Sequence, residues 1–473
     1  MIHLLFYLYY RTTITLKPDS IAILPQYFTF QSGGNYSIFV DNAETQFQYL
    51  ICSKKEFIAF TSSYDNKVCA INDYIVNKFA SGVIQKSGKY QVLIYSNIQE
   101  NQKATVTLHN PTSYLDAELQ PCLFTKPIIA GLLGILFILW IINWLINFSL
   151  TFTLHEYLTI TFLFTILYIV VNFFEYWKLH RSDDNTPLTQ IRITLRFLHF
   201  WALFSAMLMA SKGWCIVHNK LSNFNIIKCI VFSCLLAIPL IVMEYVTNLG
   251  RWGYLVLAFG TLGIILYYRD LLESIKSASA YVIAHLVVIS ESGIDPISTP
   301  IYSKLKIFQG VSWGVLLYFV FTFSLSLIKN FVDLASWIEQ ILNDFITGTL
   351  LVAAGILFRL KKELVNGYMM IGDLGEDSSS NVRTFARDDF KGFSAGSEAL
   401  KLSGQREWEA GMTLPPQPVF VDDLINVSTS ANSNEITENL NNNENQTQSF
   451  HDRENGSERG NTSFNPKDDD VQL

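Results

Sequence analysis

Charge is what this sequence has least of. Only 16% of its 473 residues are Asp, Glu, Lys or Arg, against about 25% in an average soluble protein. The deficit lies in the middle of the chain, because charge collects before about residue 125 and after about residue 360. Net charge is −7 and comes largely from an acidic C-terminal tail, so there is no basic footprint for nucleic acid. The six cysteines show no Cys/His spacing of a zinc site, and the eight histidines form neither H-x-x-x-H nor H-E-x-x-H. Paired carboxylates or a Ser/His dyad at helix depth are likewise missing, so no enzyme activity and no cofactor are expected. The third apolar stretch ends in Ser211-Lys212-Gly213 rather than an acidic-Arg-aromatic triplet, and the seventh holds no N-P-x-x-Y. Rhodopsin-like coupling therefore has no support in the sequence.

Apolar residues are plentiful: half the chain is hydrophobic and 14% aromatic, and mean hydropathy is +0.25. Spanning a bilayer takes roughly 20 mostly apolar residues per helix. Seven stretches qualify, at about 127–149, 156–177, 193–211, 224–244, 252–269, 307–328 and 334–358. A further run, Ala278 to Ser290, is too short and reads as an extension of the fifth helix or an interfacial segment. Seven spans put the two termini on opposite sides. With the N-terminus outside, Lys212, Lys220, Arg269, Lys276, Lys304, Lys306, Arg359, Lys361 and Lys362 fall inside. They outnumber Lys126, Lys178, Arg181, Arg192, Arg251 and Lys329 outside, as the positive-inside rule favours. The sequon at Asn35 then lies on the outer, lumenal side and is a glycosylation candidate. Sequons at Asn426, Asn445, Asn455 and Asn461 sit in an Asn- and Ser-rich tail and are expected to stay unmodified.

Before the first span, TTITL, YFTFQ, YSIFV, FQYLI, KYQVLIY and KATVTLH read as short strands between turn signals, which predicts a small β-sandwich. Cys52, Cys69 and Cys122 lie in this part and suit an oxidising lumen with at least one disulfide. Ile2 to Tyr10 reads equally as a truncated signal peptide or a first strand.

At Asn110 the chain becomes recognisable. NPTSYLDAELQPCLF resembles the juncture between lumenal β-sandwich and first helix in the GOLD-domain seven-transmembrane family, whose members include lung seven-transmembrane receptor-like and intimal-thickness-related receptor-like proteins. LHEYL, FLHFWALFSAMLMASKGWCIVHNKL, YYRDLLESI and FRLKKELVNGYMMIGDLGED resemble further family motifs in the right order. Three departures stand out. Ile98 takes the place of a usual cysteine, Val217-His218-Asn219 lacks a proline, and Gly367 replaces another. With Ile98 there, Cys69 loses the partner the resemblance implies, leaving Cys52, which a modest loop favours, or Cys122. The resemblance implies a Golgi or endosomal multi-pass protein active in membrane trafficking, as cargo carrier or chaperone. Related alternatives are an orphan signalling receptor and a pH- or voltage-sensitive channel or transporter. The expected organisation is a possible signal remnant or first strand at 1–11, a lumenal GOLD-like β-sandwich at 12–122, a bundle at 123–362 and a disordered cytosolic tail at 363–473.

Candidate sites follow from cost. An ionised carboxylate at mid-membrane is expensive, about 2.5–3.5 kcal/mol on insertion scales, so Asp344 should face the bundle or a watery cavity. Arg196 and His199 share one helical face, and a buried Arg196 would need a carboxylate such as Glu244 or Asp344. His199 matches a family histidine under the resemblance. The other reading of this cluster is plain helix–helix bonding. Glu175 and Glu244 read as solvated residues at the lumenal edge, and Trp214 as an interfacial aromatic. In the tail, Tyr368-Met369-Met370-Ile371 has the form of a tyrosine sorting signal for a clathrin adaptor. Expected partners are thus membrane lipids, a lumenal cargo or ligand, and that adaptor at Tyr368 and Ile371.

Overall fold

The N-terminal strands alternate buried and exposed residues, as in Gly34–Val40, because each strand has one face on a core and one on solvent. The architecture comes from a computed structural model. It describes residues 11–359 apart from 25, 42–46, 64, 97–100, 151–152, 183–186, 215–220, 246–251 and 333, and in the tail 384–386, 404–409, 412 and 414–420.

Among the described residues, nine strands build the first region: β1 (Arg11–Leu16), β2 (Ser20–Ile23), β3 (Phe28–Phe30), β4 (Gly34–Val40), β5 (Phe47–Ser53), β6 (Ile71–Ile75), β7 (Phe79–Ile84), β8 (Gly88–Ser96) and β9 (Gln102–His109). One antiparallel sheet runs β1-β9-β4-β7; the other runs β2-β8-β5-β6, with β3 also on β8. Their inner faces share one core, including Ile38, Val106, Ile51 and Ile94, and Tyr36 meets Tyr49 hydroxyl to hydroxyl at 3.1 Å. This is the expected β-sandwich. Between β5 and β6 lies helix α1 (Lys54–Ser63), opened by a capping box in which Glu56 accepts from the Ser53 amide. Cys52 and Cys69 are joined by a disulfide, and Cys122 is a buried free thiol.

Among the described residues, seven long helices follow: α2 (Cys122–Ile146), α3 (Thr153–Arg181), α4 (Pro187–Ser211), α5 (Asn223–Tyr245), α6 (Trp252–Glu291), α7 (Pro300–Phe331) and α8 (Ser336–Leu357). All seven are long and apolar enough to cross a membrane. Successive helices pack side by side, α8 closes back on α2, and α4 runs through the middle, touching α3, α5, α6 and α7. Large apolar side chains such as Leu132, Ile135 and Leu139 of α2 remain exposed, as a lipid-facing surface requires. The chain is a multi-pass membrane protein.

Two glycines fix local geometry. Gly213, at φ +71°, ends α4 in a Schellman-type turn, with the Trp214 amide reaching the Met209 carbonyl. Gly263 lets α6 approach the backbone of α5: a Cβ there would stand 2.8 Å from the Leu235 carbonyl oxygen. At 40 residues, α6 is about 60 Å long at 1.5 Å per residue, far more than a span needs. The short run Ala278–Ser290 is thus the end of the fifth membrane helix.

Candidate functional site

The segment after β9 joins sandwich to bundle. Asn110 and Ser113 close a tight turn by mutual backbone bonds. The Asn110 amide is fully buried, accepting from the Gln31 amide and donating to the Thr29 and Leu115 carbonyls. Asp116 accepts the Thr29 amide at 2.9 Å and the Glu118 amide at 2.7 Å. Burial nevertheless pushes its carboxyl up from 3.8 to about 6. Glu118 pairs with Lys89 at 2.8 Å and accepts both the amide and hydroxyl of Ser336, at the start of α8. Ser113 bonds His180 at the end of α3, and Tyr176 and Leu179 of α3 enter the sandwich core itself. Four elements therefore meet on one ten-residue stretch, NPTSYLDAEL.

Just below this junction lie the bundle's buried charges. Lys126 on α2 pairs with Asp344 on α8 at 2.6 Å, the two side chains being 1% and 5% exposed. Glu175 on α3 pairs with Arg192 on α4 and also accepts the Thr189 hydroxyl. Gln340 accepts from Tyr176 at 2.9 Å and faces the Cys122 thiol. Glu175 is fully buried, not solvated at an edge, and Lys126 and Arg192 are likewise interior rather than flanking charges. The cause is the sandwich seated on this end, which excludes the water that would otherwise hydrate them.

Of the expected cluster of Asp344, Arg196, His199 and Glu244, the first three side chains are described. Asp344 is turned to α2, where Lys126 is its ion-pair partner. The Arg196 guanidinium lies over the rings of Tyr168, 4.7 Å from its centroid, and Phe200, at 4.4 Å. His199 stacks on the same Tyr168, and its Nδ1 meets the Thr165 hydroxyl at 3.0 Å. Arg196 and His199 do share a face, directed at α3. Glu244 belongs to α5, and its side chain lies outside the described residues. Deeper still, Phe200, Phe204, Tyr267 and Phe319 fill the centre ring on ring.

A second charged group holds the opposite end. Asp270 on α6 takes Lys212 from the end of α4 at 2.9 Å and Lys228 from α5. Lys212 also donates to Ser274. Trp214, expected at the membrane interface, is buried against Tyr157 instead. Sequence reasoning missed Asp270; its signal was an acid in the fifth helix, with Lys212 just after the third span and Lys228 near the start of the fourth.

Asn35 is exposed on β4, at the rim of a shallow depression of about 420 Å³ that also involves Ser37, Thr107, His109 and Tyr114. Among the described residues no three His, Cys, Asp or Glu side chains converge as a metal site requires. Tyr368 and Ile371 lie outside the described residues, as do residues 1–10. No family model and no curated protein matches the chain.

Proposed function

We propose that the chain is a non-enzymatic trafficking protein of Golgi or endosomal membranes, its sandwich facing the lumen as a cargo-binding or chaperone module and its tail facing the cytosol. The observation that carries this reading is the junction. The stretch NPTSYLDAEL, part of the first of the motifs in which the chain resembles the GOLD-domain seven-transmembrane family, is the one that ties sandwich, α3 and α8 together. A domain fixed in this way moves with the bundle, so cargo held by the sandwich travels with the membrane protein. The receptor reading rests on the same architecture without a specific observation to favour it. The channel reading has less support, because the charge of Asp344 is already answered by Lys126.

Tyr368-Met369-Met370-Ile371 supplies the adaptor motif in this proposal. Tagged full-length chain is expected in internal membranes, and Tyr368→Ala is expected to raise its surface fraction several-fold by surface biotinylation. A variant with unchanged distribution would count against the sorting signal, and a wild-type chain resident at the surface would count against the compartment.

A further inference from the structure

The far end of α6 is apolar beyond any membrane requirement, and two things cover it. On one face Val282, Leu286 and Ile289 pack against Ile301, Leu305 and Phe308 of α7. The other face carries Ala280 and Ala284 one turn apart, leaving a slot beside Tyr281. Phe420 of the tail fills that slot and is 1% exposed. It belongs to a two-residue strand β11 (Val419–Phe420), which pairs in parallel with β10 (Thr384–Phe385). Leu414 packs on the α6–α7 cluster.

The polar contacts run along the tail's backbone. The imidazole of His285 meets the Pro415 carbonyl at 3.1 Å, and the Ser298 hydroxyl accepts the Trp408 amide at 2.8 Å. Arg406 exchanges backbone bonds with Gly293 and Asp295, at 2.9 and 2.8 Å, in the loop between α6 and α7. Side-chain recognition adds Tyr281 to Gln417, and Gln405 to Ser290. Backbone bonds for affinity with apolar pockets for alternate side chains are how proteins read extended peptides. Here the reader and the read segment stand more than a hundred residues apart in one chain.

We propose that the groove along the ends of α6 and α7 is a recognition site for an extended, proline-containing peptide with a terminal aromatic anchor, and that the chain's own residues 405–409 and 414–420 occupy it as a reversible ligand in cis. Tethering gives such a ligand an effective concentration of order mM, so even a modest intrinsic affinity keeps it seated. Release bares the Ala280–Ala284 slot and frees the tail at the same moment. A cytosolic protein carrying a similar peptide would have to outcompete the tether.

The test uses full-length chain in detergent and a fluorescent peptide of residues 404–421. Phe420→Asp in the chain should empty the groove, and that variant should bind the labelled peptide at least tenfold more tightly than wild type does. The same change in the peptide should abolish binding. Equal uptake by variant and wild type, including none by either, overturns the proposal. A second measurement needs no variant. In wild-type chain the amides of Arg406 and Trp408 should be protected from hydrogen exchange, and excess unlabelled peptide should remove that protection. Amides that exchange freely from the start, or that saturating peptide leaves unchanged, also overturn it.

Discussion

Lys126 and Asp344 sit face to face where neither would be tolerated alone. Removing one partner of a buried pair leaves an uncompensated charge, which costs about 3–5 kcal/mol. Lys126→Ala is therefore expected to lower the thermal midpoint of the purified protein markedly, whereas a Lys126→Met, Asp344→Leu double change should recover most of the loss. A single variant that melts like wild type would contradict the pairing. The sequence made Asp344 conspicuous, since an acid inside an apolar run is costly wherever it points. It could not show that Lys126 answers it. A lysine one turn into a helix looks like an interfacial residue, and only the sandwich above it makes that position interior. The same blind spot hid Glu175 and Arg192. Arg196 stood out as a charge within a span, but the rings of Tyr168 and Phe200 beneath it did not, because ring faces leave no charge pattern to read.

Elements divide by how far their partners lie along the chain. The strands and seven spans were readable, since period-two alternation and apolar runs of about 20 residues are local signals. Two-residue strands such as β10 and β11 carry no such signal. Their order depends on α6, far away in sequence, so a tail read as unstructured yields a docked segment. The junction is intermediate: its residues stood out, but what each one holds did not. Asp116 gives it a pH dependence with a definite sign. Burial raises its folded value to about 6 from 3.8, so the folded chain binds more protons than the unfolded chain between those limits. Its contribution to stability is complete below about pH 4 and is lost as pH rises through about 6. Asp116→Asn, neutral throughout, should flatten that slope and shrink the difference in thermal midpoint between pH 4.5 and pH 7 by about 2–4 °C. An unchanged difference would show that Asp116 is not the titrating group.

At the scale of the whole molecule, the bundle is braced at both ends and packed with rings between. Lys126–Asp344 and Glu175–Arg192 stitch α2 to α8 and α3 to α4 beneath the sandwich, while Asp270 gathers α4, α5 and α6 at the other end. The sandwich is bonded to one end and the tail segment to the other, so the molecule presents two different folded surfaces at the two ends of the bundle. Their assignment to lumen and cytosol underlies the trafficking proposal, and topology in sealed vesicles tests it most directly. With protease added outside microsomes from expressing cells, the sandwich should survive, carrying a glycan that Asn35→Gln removes, while the tail is digested. A tail that survives while the sandwich is cleaved would contradict the account.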